Sequence, residues 1–345
     1  MIKVMVVDDS SFMRQIFKKT IEKEANLKVI VTARNGLDAL EKLENYKPDV
    51  ITLDIEMPKL NGLETLKEIM KSEKPIPTIM VSAIDDRETV MKALDIGAFD
   101  FIPKPSGSIS LNIDDISNNL ILKINAASET KKIYLNNNIK PISPYKDKIS
   151  KKSTQSKYPI VAIGTSSGGP KALKAILPVF PANFPAAMLI VQHMPAGFTA
   201  SFANRLNQSS SIKVKEAVHG DKMSPGLALL APGDFHMEVD SKGEVNLNQS
   251  PKKWSVRPCV DYMLKTVANN FTDRVIGVIL TGMGNDGADG MEVVKNNGGY
   301  GIIEDRSTAL VYGMPGATIA KEAYDEVIPL HQIPFRIIEI IERSY

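Results

Sequence analysis

Short runs of β-branched and aromatic residues alternate with amphipathic stretches twice along this chain, and that alternation leaves few architectures open. In the first 127 residues, segments 4–7, 28–32, 50–53, 78–81 and 99–102 are brief and apolar, as buried strands are. Between them, residues 11–24, 36–45, 62–72 and 87–96 carry apolar side chains at helical spacing, and 112–127 predicts a last helix. Five strand–helix units imply a parallel sheet with helices on both faces. Residues 128–157 break the pattern. Ser, Lys, Asn and Pro dominate there, with Asn136-Asn137-Asn138 and Lys151-Lys152, so the segment buries little and reads as a linker with solvated basic charge. From residue 158 the alternation resumes. Strands are expected at 160–163, 187–191, 227–230, 274–280 and 300–303, a hairpin at 236–239 and 244–248 across Asp240-Ser241-Lys242-Gly243, and helices at 258–270 and 288–296. The expectation is a first α/β unit at 1–127, a linker at 128–157 and a second α/β domain at 158–345.

Composition narrows the function classes. A length of 345 residues suits two domains, and 24% charged residues with 43% hydrophobic ones is ordinary for a globular chain. The net charge of +2 argues against a broad nucleic-acid surface. The single cysteine, Cys259, cannot form an internal disulfide, which fits a reducing, cytoplasmic setting. The apolar run at residues 1–9 is short and ends in Asp8-Asp9, unlike a signal peptide. No stretch approaches the ~18 apolar residues of a membrane span, so membrane insertion is not expected.

The first unit gathers acids at strand ends. Asp8 and Asp9 follow the first strand and Asp54 ends the third, where open parallel sheets bind ligands. Three converging carboxylates repel one another and favour a hard divalent cation; an all-oxygen ligand set favours magnesium. With the charge balanced, one carboxylate can attack a phosphoryl donor and carry an acyl phosphate. Ser82 and Lys104, at the ends of the fourth and fifth strands, could bind the phosphoryl oxygens. Asp8 or Asp9 alone would be read as a helix cap; five polar groups, each at a predicted strand end, point to a site.

These residues stand as Val6-Val7-Asp8-Asp9-Ser10, Leu53-Asp54-Ile55-Glu56-Met57-Pro58, Ser82-Ala83 and Pro103-Lys104-Pro105. The pattern resembles the response-regulator receiver domain over the first 127 residues. The resemblance implies a flavodoxin-like (βα)5 fold, Asp54 as phosphoacceptor, Asp8, Asp9 and Asp54 as Mg2+ ligands, Ser82 and Lys104 as switch residues and Phe101 as the reorienting aromatic. It also implies a cis Lys104–Pro105 bond and a histidine kinase as phosphodonor.

The second unit has a small-residue turn, Gly164-Thr165-Ser166-Ser167-Gly168-Gly169-Pro170, between a strand and a helix. A phosphate-cradling loop fails in detail. Ser166 stands where the dinucleotide fingerprint needs glycine, no acid ends the next strand at Ile190-Val191-Gln192, and Gly-Lys-Ser/Thr is missing. Gly164-x-Ser166-x-Gly168 does match a nucleophile turn. Partners follow two other strands: His193 in Gln192-His193-Met194-Pro195 and Asp286 in Thr281-Gly282-Met283-Gly284-Asn285-Asp286-Gly287. Asp289 is a rival acid. His219, His236 and His331 lack such placement and read as surface or locally bonded histidines. In this scheme His193 takes the Ser166 proton, Asp286 orients the imidazole, and backbone N–H groups near Ser167 and Met283 could stabilise an oxyanion.

Together with Ala231-Pro232-Gly233-Asp234 and Arg257-Pro258, these segments resemble the chemotaxis protein-glutamate methylesterase family across residues 158–345. The resemblance implies a doubly wound parallel-sheet α/β domain, Ser166, His193 and Asp286 as catalytic residues, and no cofactor in that domain. It implies hydrolysis of glutamyl methyl esters on chemoreceptor helices with release of methanol, deamidation of receptor glutamines, and control of access to Ser166 by the phosphorylated receiver. The family usually has serine after Arg-Pro, where this chain has Cys259. Two other classes stay open: an adaptor with an inactive hydrolase-like output domain, and an enzyme that is mainly a deamidase. A transcription factor would need a helix-turn-helix and a basic recognition helix, and residues 158–345 carry neither.

Overall fold

The computed structural model describes residues 1–82, 86–104, 113–130, 142–145 and 158–344, without the side chains of 113–116. It divides into two compact units, Met1–Asn137 and Asn138–Tyr345.

In the first unit, strands β1 (Ile2–Val7), β2 (Leu27–Ala33), β3 (Val50–Asp54), β4 (Thr78–Ser82) and β5 (Asp100–Pro103) form one sheet in the order β2-β1-β3-β4-β5. Every pairing is parallel. β3 and β4 are buried at every residue, which is why they read as unbroken apolar runs. Helices α1 (Ser11–Ile21), α2 (Gly36–Asn45), α3 (Gly62–Met70), α4 (Arg87–Ile96) and α5 (Ile113–Glu129) connect and flank the strands. α5 runs two residues into the segment read as linker. Local chemistry sets the helix starts. Ser10 caps α1, Asn35 caps α2, and Asn61 with Glu64 forms a reciprocal capping box on α3. The cap of α1 is therefore Ser10, not Asp8 or Asp9, and the acids are left for another role.

The second unit is built on seven parallel strands: β6 (Ile160–Thr165), β7 (Ala187–Gln192), β8 (Lys213–Glu216), β9 (Leu227–Leu230), β12 (Val275–Ile279), β13 (Tyr300–Glu304) and β14 (Glu326–Ile328). Their order is β14-β13-β12-β6-β7-β9-β8. β10 (His236–Val239) and β11 (Val245–Asn248) form a separate antiparallel hairpin. Its turn is held by Asp240, whose Oδ1 accepts from the Lys242 and Glu244 N–H groups, with Gly243 at φ 78. The helices are α6 (Gly169–Ile176), α7 (Phe198–Ser209), α8 (Val260–Phe271), α9 (Ala288–Asn296), α10 (Gly313–Ala320) and α11 (Ile333–Ser344). Part of the stretch read as linker packs on this unit: the Tyr145 N–H donates to the Val179 carbonyl at 3.0 Å, and its hydroxyl lies 3.3 Å from Glu342. The rest of 131–157 falls outside the described residues.

Strand order fixes where chemistry can occur. In the first sheet the winding reverses between β1 and β3; in the second it reverses between β6 and β12. At such reversals the helices depart to opposite faces and leave a crevice at the carboxyl ends of the strands. Both clusters of predicted site residues lie at these crevices. Among the described residues, no helix is long and apolar enough to cross a membrane.

Candidate functional sites

At the first crevice, β1 delivers Asp8 and Asp9, and β3 ends in Asp54. Their carboxylates each present one oxygen within 4.8 Å of the others. Asp8 and Asp54 are buried and Asp9 is exposed. The Arg14 guanidinium donates to the carbonyls of Asp8 at 2.6 Å and Asp9 at 3.0 Å, pinning the acidic turn. Lys104, next after β5, reaches Asp54 Oδ2 at 2.6 Å and Asp8 Oδ2 at 3.6 Å. Burial, aided by the charges of Asp8 and Asp9, lifts the Asp54 carboxyl to about 6 against the pull of Lys104. Burial also raises Asp8. Lys104 is raised; burial disfavours its charge, but Asp54 and the neighbouring acids outweigh that.

Asp8 Oδ2 is buried without a hydrogen-bond partner among the described residues. An unsatisfied carboxylate oxygen among three crowded acids fits a hard, oxygen-seeking cation. Close packing protects the phosphoacceptor candidate: a Cβ on Gly62 would stand 2.1 Å from the Asp54 carbonyl oxygen, so α3 can begin this near Asp54 only with glycine there. Ser82 is buried at the end of β4, and Phe101 is buried in β5 with the Lys123 ammonium 5.5 Å from its ring centre. The Lys104–Pro105 bond lies outside the described residues.

The second crevice joins three strand ends. Thr165 and Gln192 are register partners and the His193 N–H donates to the Thr165 carbonyl at 3.2 Å, so Ser166 and His193 leave neighbouring strands side by side. On the other side of β6, the Ser166 N–H donates to the Thr281 carbonyl at 3.1 Å, which ties the turn to the end of β12. Gly168 has φ 82 and caps α6, a conformation that favours glycine, and a Cβ there would press on Leu310 and Thr281. A Cβ on Gly282 would stand 3.0 Å from Ser166 Cβ and 2.3 Å from Met314 Sδ, so the β12 loop can lie against Ser166 only with glycine at 282.

His193 Nε2 lies 2.8 Å from Asp286 Oδ2. Asp286 is 1% exposed and fully ligated: Oδ2 also accepts from the Val260 N–H at 2.6 Å, while Oδ1 accepts from the Asp261 N–H and the Cys259 thiol, both at 3.0 Å. Burial works against its charge, yet His193, Cys259 and the α8 amides bring its carboxyl below the ordinary value. Those amides are the first two of α8, so Asp286 caps α8 from outside. Asp261 returns the arrangement: its Oδ1 accepts from the Gly287 and Gly290 N–H groups at the start of α9. The two helices thus cap each other through acids that neither could place alone.

The rival acid points elsewhere. Asp289 is held at about 2 by Lys253 at 2.5 Å and Lys321 at 2.6 Å. His236 is buried, stacked 4.0 Å from Tyr262 and 3.3 Å from the Pro251 carbonyl, and His219 receives the Leu247 N–H. The Met283 N–H has no acceptor among the described residues. Ser167 is buried directly after the nucleophile candidate.

Two contributors, Gln192 and Thr281, were not singled out by sequence reasoning, and a third, Cys259, stands in the sequence only as a departure from the usual serine. The Gln192 amide donates to the Ser166 carbonyl at 2.9 Å and the His193 carbonyl at 3.2 Å, clipping two strand ends together. Thr281 receives the Ser166 amide. Cys259 orients Asp286, and burial with the adjacent Asp286 charge pushes its thiol up, so it stays a protonated donor. Iodoacetamide should therefore leave Cys259 unmodified in the folded protein and label it fully in denaturant. Rapid labelling under native conditions would contradict this burial.

Family models match both units: the CheB methylesterase domain at residues 161–337 and the response regulator receiver domain at residues 4–112. The chain belongs to the CheB methylesterase family. A Pyrococcus abyssi protein-glutamate methylesterase/protein-glutamine glutaminase is 45% identical over 99% of this chain and 94% of its own length. The protein of the same name from Thermotoga maritima is 44% identical over 99% of this chain and 98% of its own. The crystal structure of the Thermotoga maritima CheB methylesterase catalytic domain superposes with a TM-score of 0.53 at 45% identity, over 54% of this chain and all of that one. The receiver-plus-methylesterase order of CheB proteins is thus present here over nearly the full length.

Proposed function

We propose that this protein is a cytoplasmic chemotaxis response regulator that hydrolyses glutamyl methyl esters on chemoreceptors, releases methanol, and deamidates receptor glutamines. The observation that carries this reading is the His193–Asp286 contact of 2.8 Å beside Ser166 at the winding reversal. Because Asp286 engages Nε2, Nδ1 is the nitrogen left to take the Ser166 proton. Oγ then attacks the ester carbonyl, and the N–H groups of Ser167 and Met283 serve the developing oxyanion. Collapse breaks the bond to methoxide, which leaves as methanol with the proton from His193. Water, deprotonated by His193, then cleaves the acyl-serine and leaves a glutamate carboxylate. A glutamine side chain follows the same route with ammonia as leaving group. The adaptor reading is disfavoured by Ser166, His193 and Asp286 standing together at one winding reversal, with His193 in contact with Asp286.

In the receiver, Asp8, Asp9 and Asp54 would hold Mg2+, which supplies charge neutralisation for an incoming phosphoryl group. Asp54 accepts that group from a histidine kinase. Lys104, already on Asp54, pairs with the phosphoryl oxygens, and Ser82 and Phe101 answer the new charge. The test is methanol release from methylated receptor membranes, with and without a small acyl-phosphate donor. We expect basal release that rises with the donor. No release in either condition would reject the esterase reading.

A further inference from the structure

Behind the nucleophile turn lies a carboxyl group that the reaction above does not use. Glu304 ends β13 and is 0% exposed. Its Oε2 accepts from the Thr281 N–H at 2.7 Å, and its Oε1 is buried without a hydrogen-bond partner among the described residues. Thr281 is the joint on which the turn is assembled. Its carbonyl accepts from the Ser166 N–H at 3.1 Å and the Thr165 hydroxyl at 2.8 Å. Its own hydroxyl donates to the Ser167 carbonyl and accepts from the Val311 N–H, both at 2.9 Å. Glu304 is therefore one residue removed from Ser166 and Ser167, through three directed hydrogen bonds.

An anion in this place has little support. The charged and titratable groups facing it are Asp305, next in the chain, and Tyr312 at the start of α10, over whose ring Arg306 lies at 4.5 Å. Asp305 repels, Arg306 is engaged with Tyr312, and no cation pairs with Glu304 among the described residues. The Thr281 N–H and the Thr308 hydroxyl favour its charge, but burial with no counter-ion outweighs them, and the carboxyl takes up a proton.

We propose that Glu304 is a positioning residue that acts in its protonated form, holding the Thr281 turn in register behind Ser166, and that loss of its proton loosens this turn and sets an upper pH limit on ester hydrolysis. The proposal rests on Ser166 being the nucleophile. Burial, with Asp305 adding to it, places the Glu304 carboxyl at about 7, within the working range of a cytoplasmic enzyme. Once ionised, the carboxylate still accepts from the Thr281 N–H, but its unpartnered Oε1 must be solvated, and the movement that admits water behind β13 displaces the Thr281 turn.

The test compares full-length wild type with Glu304→Gln and Glu304→Ala, measuring methanol release and melting temperature across the pH range. Wild-type kcat should fall roughly tenfold or more from about pH 7 to about pH 9. Glu304→Gln keeps an uncharged oxygen for the Thr281 N–H, so it should match wild type in mild acid and lose the alkaline fall. Glu304→Ala removes the acceptor and should lower kcat at every pH with KM little changed. The melting temperature of wild type should drop relative to Glu304→Gln over the same pH interval. If Glu304→Gln does not fold, Glu304→Ala is the reference for that comparison. An alkaline fall in Glu304→Gln equal to wild type, or wild-type kcat in folded Glu304→Ala, overturns the proposal. Activity retained by Ser166→Ala would instead remove the nucleophile reading, while the melting comparison would still test the Glu304 proton.

Discussion

Replacing Ser166 with alanine is expected to reduce methyl-ester hydrolysis by on the order of 10⁴-fold or more, with the fold unchanged. The fold should survive because Ser166 is only half-buried and its side chain makes no hydrogen bond among the described residues; what anchors the turn is its backbone, through Thr281 and Gln192. The activity should not survive, because the attacking oxygen is gone and neither His193 nor the oxyanion donors can replace it. His193→Ala should cost about as much and the double variant little more, since a nucleophile and its base act as a unit. Ser167→Ala is the control. Its part in the scheme is a backbone N–H, which alanine keeps, so most activity should remain. The measurement is kcat for methanol release beside a thermal melt of each variant. A well-folded Ser166→Ala at the wild-type rate would refute the assignment.

The sites were more legible in the sequence than the machinery that supports them. Asp8, Asp9, Asp54, Ser166, His193 and Asp286 each follow a run of buried β-branched residues, and strand ends are where sequence patterns and chemistry coincide. The missed elements lie at the margins. β8 reads Lys-Val-Lys-Glu and β14 is a three-residue strand, both at sheet edges, where charge and brevity hide the alternation that marks a strand. α10 has glycine at two positions of its first turn, Gly313 and Gly316, and is held by tertiary contacts: the N–H groups of Gly313 and Met314 both donate to the Gly282 carbonyl. Cys259, Gln192 and Glu304 were illegible for a different reason. Their partners stand many residues away, and nothing local says that Cys259 will meet Asp286 or that Glu304 will end beneath Thr281. The sequence favours Asp286 over Asp289 by motif alone, and the fold supplies the physical reason. Only three residues separate them, and what distinguishes them is the helix phase that turns Asp289 toward Lys253 and Lys321.

Asp54→Asn is expected to abolish phosphorylation and activation while leaving basal ester hydrolysis intact. An amide oxygen is too weak a nucleophile to form the acyl phosphate, whereas Ser166, His193 and Asp286 all lie in the other compact unit. Labelling of wild type should also require Mg2+, since Asp8 and Asp9 are themselves anionic and cannot offset an incoming phosphate. The same substitution makes a second prediction, on stability, that does not depend on the kinase. In the metal-free protein the Asp54 carboxyl rises from its ordinary value of 3.8 to about 6. A carboxyl with a raised folded value contributes stability that is complete below its unfolded value and is lost as the pH climbs through the folded one. Wild type should therefore lose about 3 kcal/mol between about pH 4 and pH 7 from this group. Asparagine has no proton to lose, so the variant should melt higher than wild type at neutral pH in chelator, and the gap should close in acid. Added Mg2+ should favour wild type, because the variant has lost one of three anionic ligands. Normal phosphoryl labelling of the variant, or labelling of wild type in excess chelator, would count against Asp54 as the acceptor. A melting difference that does not change with pH would show that burial does not hold the Asp54 carboxyl above its ordinary value.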